Sequence, residues 1–438
     1  MNAPPKRTNG VVVGEPGATV GGLGRWLLVA GVVIATSVGA APMMVMSFGV
    51  FLKPVTQSFG WDRSALSAAL SIAVLGNALA TPTLGWLLDR FGVRSVTLYA
   101  IVLFSLSLAL LGAMVDSRII VFALFALLGV FSAGHAQVPY VTAISKAFDA
   151  NRGLALGIGM SGLGVGTALV PLLAALLIKY FGWRLAYVGL GAVTFAIAFP
   201  AVALLVRVPR VRADSTGLGV TQQAVQKGPA QTSFPWRSRA FLLISGSVLL
   251  ISLGLNGALS QLVPILTDAG LTPLRAASIA GMAGIATIFG KVLSGYLADR
   301  FSPHLVTAIF FALPLVGFSA LIFGWILQFP VLAMASLGLT VGGEVSLAGT
   351  LVARHFGIAR FGEIFGVTAV AWAIGVGLSP LIMNLCFDLL GSYHAILIVL
   401  AAGIAVSALM VAALPETAGD DTAVSPTGAT AEMGRETP

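Results

Sequence analysis

Three ionisable side chains stand where such groups are rare: Lys291, Glu344 and His135 each fall inside a long apolar run. A charge at the centre of a membrane helix costs roughly 2.5–3.5 kcal/mol on insertion scales, so one that is kept there marks a pathway for a solute, an ion or a proton. An ammonium in that setting can draw in the carboxylate of a small solute, and a carboxyl or imidazole nearby can carry a proton. Spacing supports the grouping. Thr287, Lys291 and Ser294 stand at i, i+4 and i+7 and share one helix face, as do Thr340 and Glu344. Counted from the ends of their apolar runs, all three ionisable groups lie roughly 10–12 Å from one boundary at 1.5 Å per residue, which predicts a shared polar cavity. In the scheme this suggests, Lys291 attracts the substrate carboxylate and Glu344 is its counter-ion when the site is empty. Protonation of Glu344 then frees Lys291 for the anion. Tyr140, Asn256, Gln261 and Trp372 are further candidates for the cavity wall. Each residue also has a plainer reading. Lys291 can snorkel along its stem to headgroups, Glu344 can brace helices within one half, His135 can be a neutral packing residue, and the others can be interhelical hydrogen-bonding groups.

The elements that must position these residues are membrane helices. Of the 438 residues, 58% are hydrophobic and only 9% are charged, against about 25% in soluble domains. The mean hydropathy is +0.99. A chain this poor in charge needs lipid as part of its solvent. Twelve runs long enough to span are expected near 26–52, 64–88, 95–115, 118–142, 153–178, 184–206, 240–266, 275–298, 304–326, 330–352, 363–386 and 393–414. The fold class expected is therefore an all-α membrane protein of two six-helix bundles. The bundles occupy 26–206 and 240–414, with a polar tail at 1–25, a basic linker at 207–239 and a disordered tail at 415–438.

Most of the 24 Lys and Arg residues fall in alternate gaps on the side of both termini. By the positive-inside rule that side is cytoplasmic, in a multi-pass protein of the cell membrane, the bacterial inner membrane being the expected one. The net charge of +8 thus reads as orientation, and nucleic acid is not an expected partner. The single Cys386 excludes an intramolecular disulfide and a cysteine-based metal site. No nucleophile–base pair or metal set supports an enzyme, and no cofactor is expected. Gly157–Gly166 happens to match G-x-G-x-x-G, but it lacks the preceding strand and the acidic residue that a dinucleotide site needs. Small residues at this spacing instead let membrane helices approach closely, which predicts a seam that slides as the halves move.

The halves repeat. Gly85-Trp-Leu-Leu-Asp89-Arg90-Phe91 recurs 210 residues later as Gly295-Tyr-Leu-Ala-Asp299-Arg300-Phe301, and Phe148…Arg152-Gly153 is echoed by Phe356…Arg360-Phe-Gly362. Duplication of six helices is a common way to build two rigid bodies around a central site.

Gly85-x-x-x-Asp89-Arg90-x-Gly92-x-Arg94 resembles the signature loop of the major facilitator superfamily. The second copy departs from it, since Ser302-Pro303-His304 replaces the Gly and the last base. A narrower resemblance, to the monocarboxylate transporter and oxalate–formate antiporter group, rests on Trp61-Asp62-Arg63-Ser64, Arg152-Gly153-Leu-Ala-x-Gly157, Gly182-Trp183-Arg184 and Arg354-His-Phe356-Gly357…Phe361-Gly362. The group implies transport of small organic-acid anions, coupled to protons or to exchange. It also implies a cation in the eighth helix for the substrate carboxylate, at the position of Lys291, with Thr287 where an acidic residue is often found. No lysine stands in the eleventh helix, which argues against oxalate. By the same resemblance Asp89 is a latch toward the start of the eleventh helix near Phe361–Glu363 in the outward-open state, with Arg90 and Arg94 bracing the loop. Asp299 and Arg300 are the corresponding pair of the second half.

The expected function is secondary transport of a monocarboxylate-type anion with protons by alternating access, in a monomer that needs no nucleotide. The alternatives are a proton-driven drug antiporter, which would favour a buried acid in the first half, and a transporter-like sensor, which would add a soluble output domain.

Overall fold

The computed structural model describes residues 22–114, 116–148, 151–206, 236–357 and 360–415. The expected linker and both tails lie largely outside the described residues. The described chain is helical, and eleven helices are long and apolar enough to cross a membrane. One of these, Arg152–Leu205, has 54 residues. It would reach roughly 80 Å if straight, far more than the hydrocarbon core of about 30 Å. At Gly182 the backbone turns to φ 77°, ψ 166°, a region open to glycine and costly for other residues. The chain reverses there, so the helix is two spans and the total is twelve.

The spans are α1 (Gly22–Ser37, continued by a π-turn Ala41–Met46 and by Phe48–Phe59), α2 (Arg63–Phe91), α3 (Val93–Ala113) and α4 (Arg118–Ser132, continued through Ala133–His135 and Gln137–Ala147). The two arms of Arg152–Leu205, 152–181 and 183–205, are α5 and α6. The second half holds α7 (Arg239–Ser260, followed by the short helix Leu262–Asp268), α8 (Pro273–Arg300), α9 (Pro303–Ala312 and Pro314–Phe323), α10 (Pro330–Phe356), α11 (Phe361–Leu390) and α12 (His394–Ala412).

Packing obeys the repeat. In the first half α1 lies on α5, α2 on α4 and α3 on α6. In the second, α7 lies on α11, α8 on α10 and α9 on α12. The halves meet through α2 against α11 and α5 against α8, which are equivalent pairs under the same two-fold relation. Several helices run longer than their apolar stretches. The first continues to Phe59 rather than ending near 52, and α8 and α10 reach Arg300 and Phe356. The polar ends of a span go on satisfying backbone groups by helix bonds after the apolar pattern stops.

The glycine-rich stretch of α5 divides between two neighbours, which narrows the expected sliding seam. A Cβ at Gly162 would meet Val33 O and Thr36 Oγ1, and one at Gly166 would meet Ser37 O, so these glycines fix α1 within their own half. Of the run, Gly164 is the residue that faces the other half, against Gly284 and Ile288 of α8.

Candidate functional site

The two ends of the molecule differ, and are called here the motif end, where the two Gly-x-x-x-Asp-Arg segments lie, and the far end. Lys291 stands nine residues before the motif end of α8, whereas Glu344 stands twelve before that of α10 and His135 twelve before that of α4. At 1.5 Å per residue this is roughly 14 Å for Lys291 and 18 Å for the other two. Measured from the helix ends, the three are not level: Lys291 is about one turn nearer the motif end than the other two. The helices run on beyond their apolar stretches by unequal amounts, which leaves the depth counted from the apolar boundaries unchanged.

Lys291 projects from the face of α8 that looks toward the other half. The exposed residues Ile285, Phe289, Val292 and Tyr296 mark the outer face of the helix. Gly284 marks the face turned to α5, because a Cβ there would come within 2.2 Å of Ala168 N and 2.5 Å of Gly164 O. Seven residues rotate a helix by nearly two full turns, so Lys291 lies almost directly below Gly284 on that face. Lys291 is half-buried, and its ammonium makes no hydrogen bond or ion pair among the described residues. Thr287 and Ser294 lean to the side, into the contact with α10. Gly342 sits against Thr287 O and Lys291 N, and Gly343 against Ser294 Cβ. Thr287 is 1% exposed, and its hydroxyl donates to Ala283 O at 2.9 Å within its own helix.

Glu344 is 3% exposed, and its Oε1 has no hydrogen-bond partner. No ion pair joins it to Lys291. Its neighbour is Trp372 of α11, whose indole nitrogen is close enough to act on the carboxyl yet is itself without a well-formed hydrogen bond. Gln261 adds a third orphan: it sits at the break after α7, is fully buried, and neither end of its amide has a partner. The residue before it, Ser260, lends its carbonyl to the contact with Gly49 of α1 in the other half. Asn256, one turn earlier, donates to Ser252 O at 3.2 Å. Buried polar groups without partners are uncommon in folded proteins, and Glu344, Trp372 and Gln261 are among those of the second half.

His135 and Tyr140 are brought together, but not with these groups. Pro42 has no N–H, so the carbonyl of Val38, four residues earlier, loses its helical donor where α1 breaks into its π-turn. His135 Nε2 supplies the missing bond at 3.0 Å, and Nδ1 meets Tyr140 Oη at 2.7 Å. A carbonyl can only accept, so the proton is assigned to Nε2, and Tyr140 donates to Nδ1. Both side chains are 1% exposed and serve as a brace within the first half.

The signature loop is anchored by its last base. Arg94 donates to Ala203 O near the end of α6, where the final helical carbonyls lack partners of their own. Gly92 has φ 83°, which requires glycine. In the second copy Ser302 turns with φ −55°, so the missing glycine reflects a different turn. Arg90 lies over Trp86, 5.2 Å from the ring centroid, and Arg300 over Tyr296 at 5.1 Å. Gly85 has open space around it, and Asp89 and Asp299 are exposed and make no hydrogen bond or ion pair among the described residues.

The far end holds a polar cluster that sequence reasoning did not single out. Asp268, just beyond α7, accepts from Arg63 Nη1 at 2.7 Å and Nη2 at 3.1 Å, and from Lys53 Nζ at 2.6 Å. Arg63 also donates to Tyr393 Oη at 3.0 Å and stacks 3.7 Å from the centroid of Phe387. Asp388 accepts from the backbone N–H groups of Arg63 and Ser64 at 3.3 and 2.8 Å, capping α2 across the interface. The helix's own N-cap residue, Asp62, makes no such bond. Behind this layer Asn384 donates to Ser67 Oγ at 2.7 Å, and Ser71 donates to Gly377 O at 2.6 Å. Partial burial pushes the Asp268 carboxyl up, but the hydrogen bonds and charges of Arg63 and Lys53 outweigh it and hold the carboxyl below its usual value. The hydrogen bonds and ion pairs that join described residues of the two halves cluster at this end. The available signal was the placing of Lys53, Arg63, Asp268 and Asp388 at helix ends facing one side, but sequence alone does not say which ends meet.

The pattern of the Major Facilitator Superfamily matches residues 34–380. A gallate transporter of Pseudomonas putida is 28% identical, over 82% of this chain and 88% of its own length. Monocarboxylate transporter 12 of Rattus norvegicus is 25% identical, over 87% of this chain and 83% of its own. Among solved structures, a D-xylose–proton symporter superposes with a TM-score of 0.70 at 16% identity, covering 90% of this chain and 99% of that one. With twelve spans in two related bundles, the signature loop in place and this match over most of its length, the chain belongs to the Major Facilitator Superfamily.

Proposed function

We propose that this transporter carries small organic-acid, monocarboxylate-type anions together with protons, by alternating access between two bundles. The observation that carries the reading is Lys291: an ammonium without a partner, well inside α8, on the face turned to the other half. A lone cation in such a place attracts anions and repels cationic drugs. The relatives whose names specify gallate and monocarboxylates agree with that preference.

Glu344 is the proton carrier of the proposal. A proton on this carboxyl removes a charge whose burial is costly, and the unpartnered Trp372 and Gln261 amide lie in the same half to meet a polar solute. His135 and Tyr140 fall outside the coupling path in this reading because each satisfies the other. Asp89 engages α11 when the motif end closes, opposite to the arrangement described above. The motif end is cytoplasmic, with both termini there, and the membrane is the bacterial inner membrane.

The test is uptake of labelled benzoate, gallate, lactate and a lipophilic cation into proteoliposomes under an imposed pH gradient. Acid-driven, saturable uptake of a carboxylate is expected. It should be lost in Lys291→Ala and should lose its dependence on the gradient in Glu344→Gln. Normal uptake by both variants refutes the scheme, and movement of the lipophilic cation alone makes the protein a drug antiporter.

A further inference from the structure

The clamp at the far end imitates a ligand. Arg63 and Lys53 belong to the first half, and the groups that satisfy them come from the second. The carboxylate of Asp268 takes both forks of Arg63 and the ammonium of Lys53. The ring of Phe387 covers the guanidinium, and the hydroxyl of Tyr393 completes its donors. When the halves part at this end, all of these leave together. Two cations then remain side by side, held by a rigid corner in which Trp61 N–H donates to Thr56 O and the Trp61 ring stacks on Phe59 at 4.6 Å. Uncompensated like charges at such spacing repel each other and recruit a counter-anion.

We propose that Lys53 and Arg63 form an outer binding site for the carboxylate of a small organic acid, which replaces the Asp268 carboxylate as the far end opens. This rests on the organic-anion reading above and deepens it. The fork of Arg63 and the ammonium of Lys53 hold one carboxylate between them, which is the group a small organic acid presents. A planar guanidinium suits it through paired hydrogen bonds. The solute is thus met first at the mouth by Arg63 and Lys53 and later, deeper in, by Lys291. Substrate binding at the mouth and opening of the mouth become one exchange of carboxylates.

A lock that bound nothing would respond alike to loss of either partner, and a binding mouth would not. With full-length protein in proteoliposomes and benzoate applied from the far side, Arg63→Gln and Lys53→Gln should each raise KM by about tenfold or more, the scale of a charged hydrogen bond. Asp268→Asn, which removes the internal competitor, should lower it. Equal shifts in the same direction for all three variants, or unchanged KM in Arg63→Gln, overturn the proposal.

A second measurement needs no transport. In a Cys386→Ser background, Ser67→Cys lies behind the clamp and reports its opening to an impermeant maleimide. Benzoate and cyclohexanecarboxylate should speed this labelling, chloride at equal ionic strength should do so much less, and Arg63→Gln should abolish the effect of both carboxylates. Labelling that ignores benzoate overturns the outer site. Equal stimulation by chloride makes the effect one of ionic strength and overturns the site as well. Absence of uptake with the benzoate effect intact refutes the transport reading and leaves the outer site standing.

Discussion

Gly284 is the position where one methyl group should move the whole molecule. A Cβ there would lie 2.2 Å from Ala168 N, 2.5 Å from Gly164 O and 2.7 Å from Ala168 Cα. All three are backbone atoms of α5, so no side chain can rotate away. Restoring ordinary contact requires α5 and α8 to separate by about 1 Å, and overpacking of this kind costs about 1–3 kcal/mol. The cost falls on the present arrangement, in which the far end is closed and these helices touch near their middles. At 1.4 kcal/mol per factor of ten, the fraction open at the far end rises about 5- to 150-fold. The assay is maleimide labelling of Ser67→Cys in the Cys386→Ser background, with and without Gly284→Ala. Gly153→Ala is the control, since a Cβ there meets nothing within 4 Å. Labelling should quicken with Gly284→Ala and stay unchanged with Gly153→Ala. A well-inserted Gly284→Ala protein that labels at the parental rate would refute the claim that the α5–α8 contact helps to hold the far end shut.

The pH response of the clamp has a definite sign. Asp268 faces Lys53, Arg63, Tyr393 and the nearby Asp388, and its carboxyl is held low. Its contribution to closure is therefore complete above the ordinary carboxylate value of about 3.9 and is lost only as pH falls through the depressed one. The ratio of Ser67→Cys labelling between Asp268→Asn and its parent should stay constant from about pH 5 to 8. A ratio that changes in that window would place a proton in the clamp. His135→Phe strands the Val38 carbonyl and the Tyr140 hydroxyl, and should cost about 1–3 kcal/mol, read as a lower thermal midpoint in detergent. The pH profile of transport should not move, and a displaced profile would return His135 to the proton path. Asp89→Asn should leave insertion intact but weaken closure of the motif end by the value of a charge at a helix N-terminus. That is about two- to fivefold in population, seen as slower Ser67→Cys labelling, and unchanged labelling would argue against the latch.

Membrane helices announce themselves in sequence because the bilayer demands about 20 apolar residues at a time, and the duplicated loop at Gly85 and Gly295 shows that the twelve spans come in two sets. Even the hardest split, near Gly182, carried a signal in Gly182-Trp183-Arg184. What periodicity did not report is where the helices end, since backbone hydrogen bonding continues after the apolar pattern stops. That is why Lys291, Glu344 and His135, level when counted from the apolar boundaries, stand at different distances from the ends of their helices. The partner of His135 was likewise hidden. It depends on Pro42 leaving a carbonyl without a donor 97 residues away, at Val38.

Contacts between the halves were the least legible feature, for a reason that bears on mechanism. Within a half, close approach is permanent, and sequence marks it with small residues such as Gly162 and Gly166. Between the halves, contacts must form and break in every cycle, so they combine a few glycines with polar groups that water or a solute can replace. Lys53, Arg63, Asp268 and Asp388 sit at helix ends where charges are ordinary: each must be as tolerable in water as in its ion pair. Lys291 and Glu344 stand apart because lipid tolerates such groups poorly, and that is what makes them legible in the sequence. The sequence thus exposes the charges that never leave the bundles and conceals those that are paired in one state and free in the other. In the proposed cycle the second kind decides when the pathway opens.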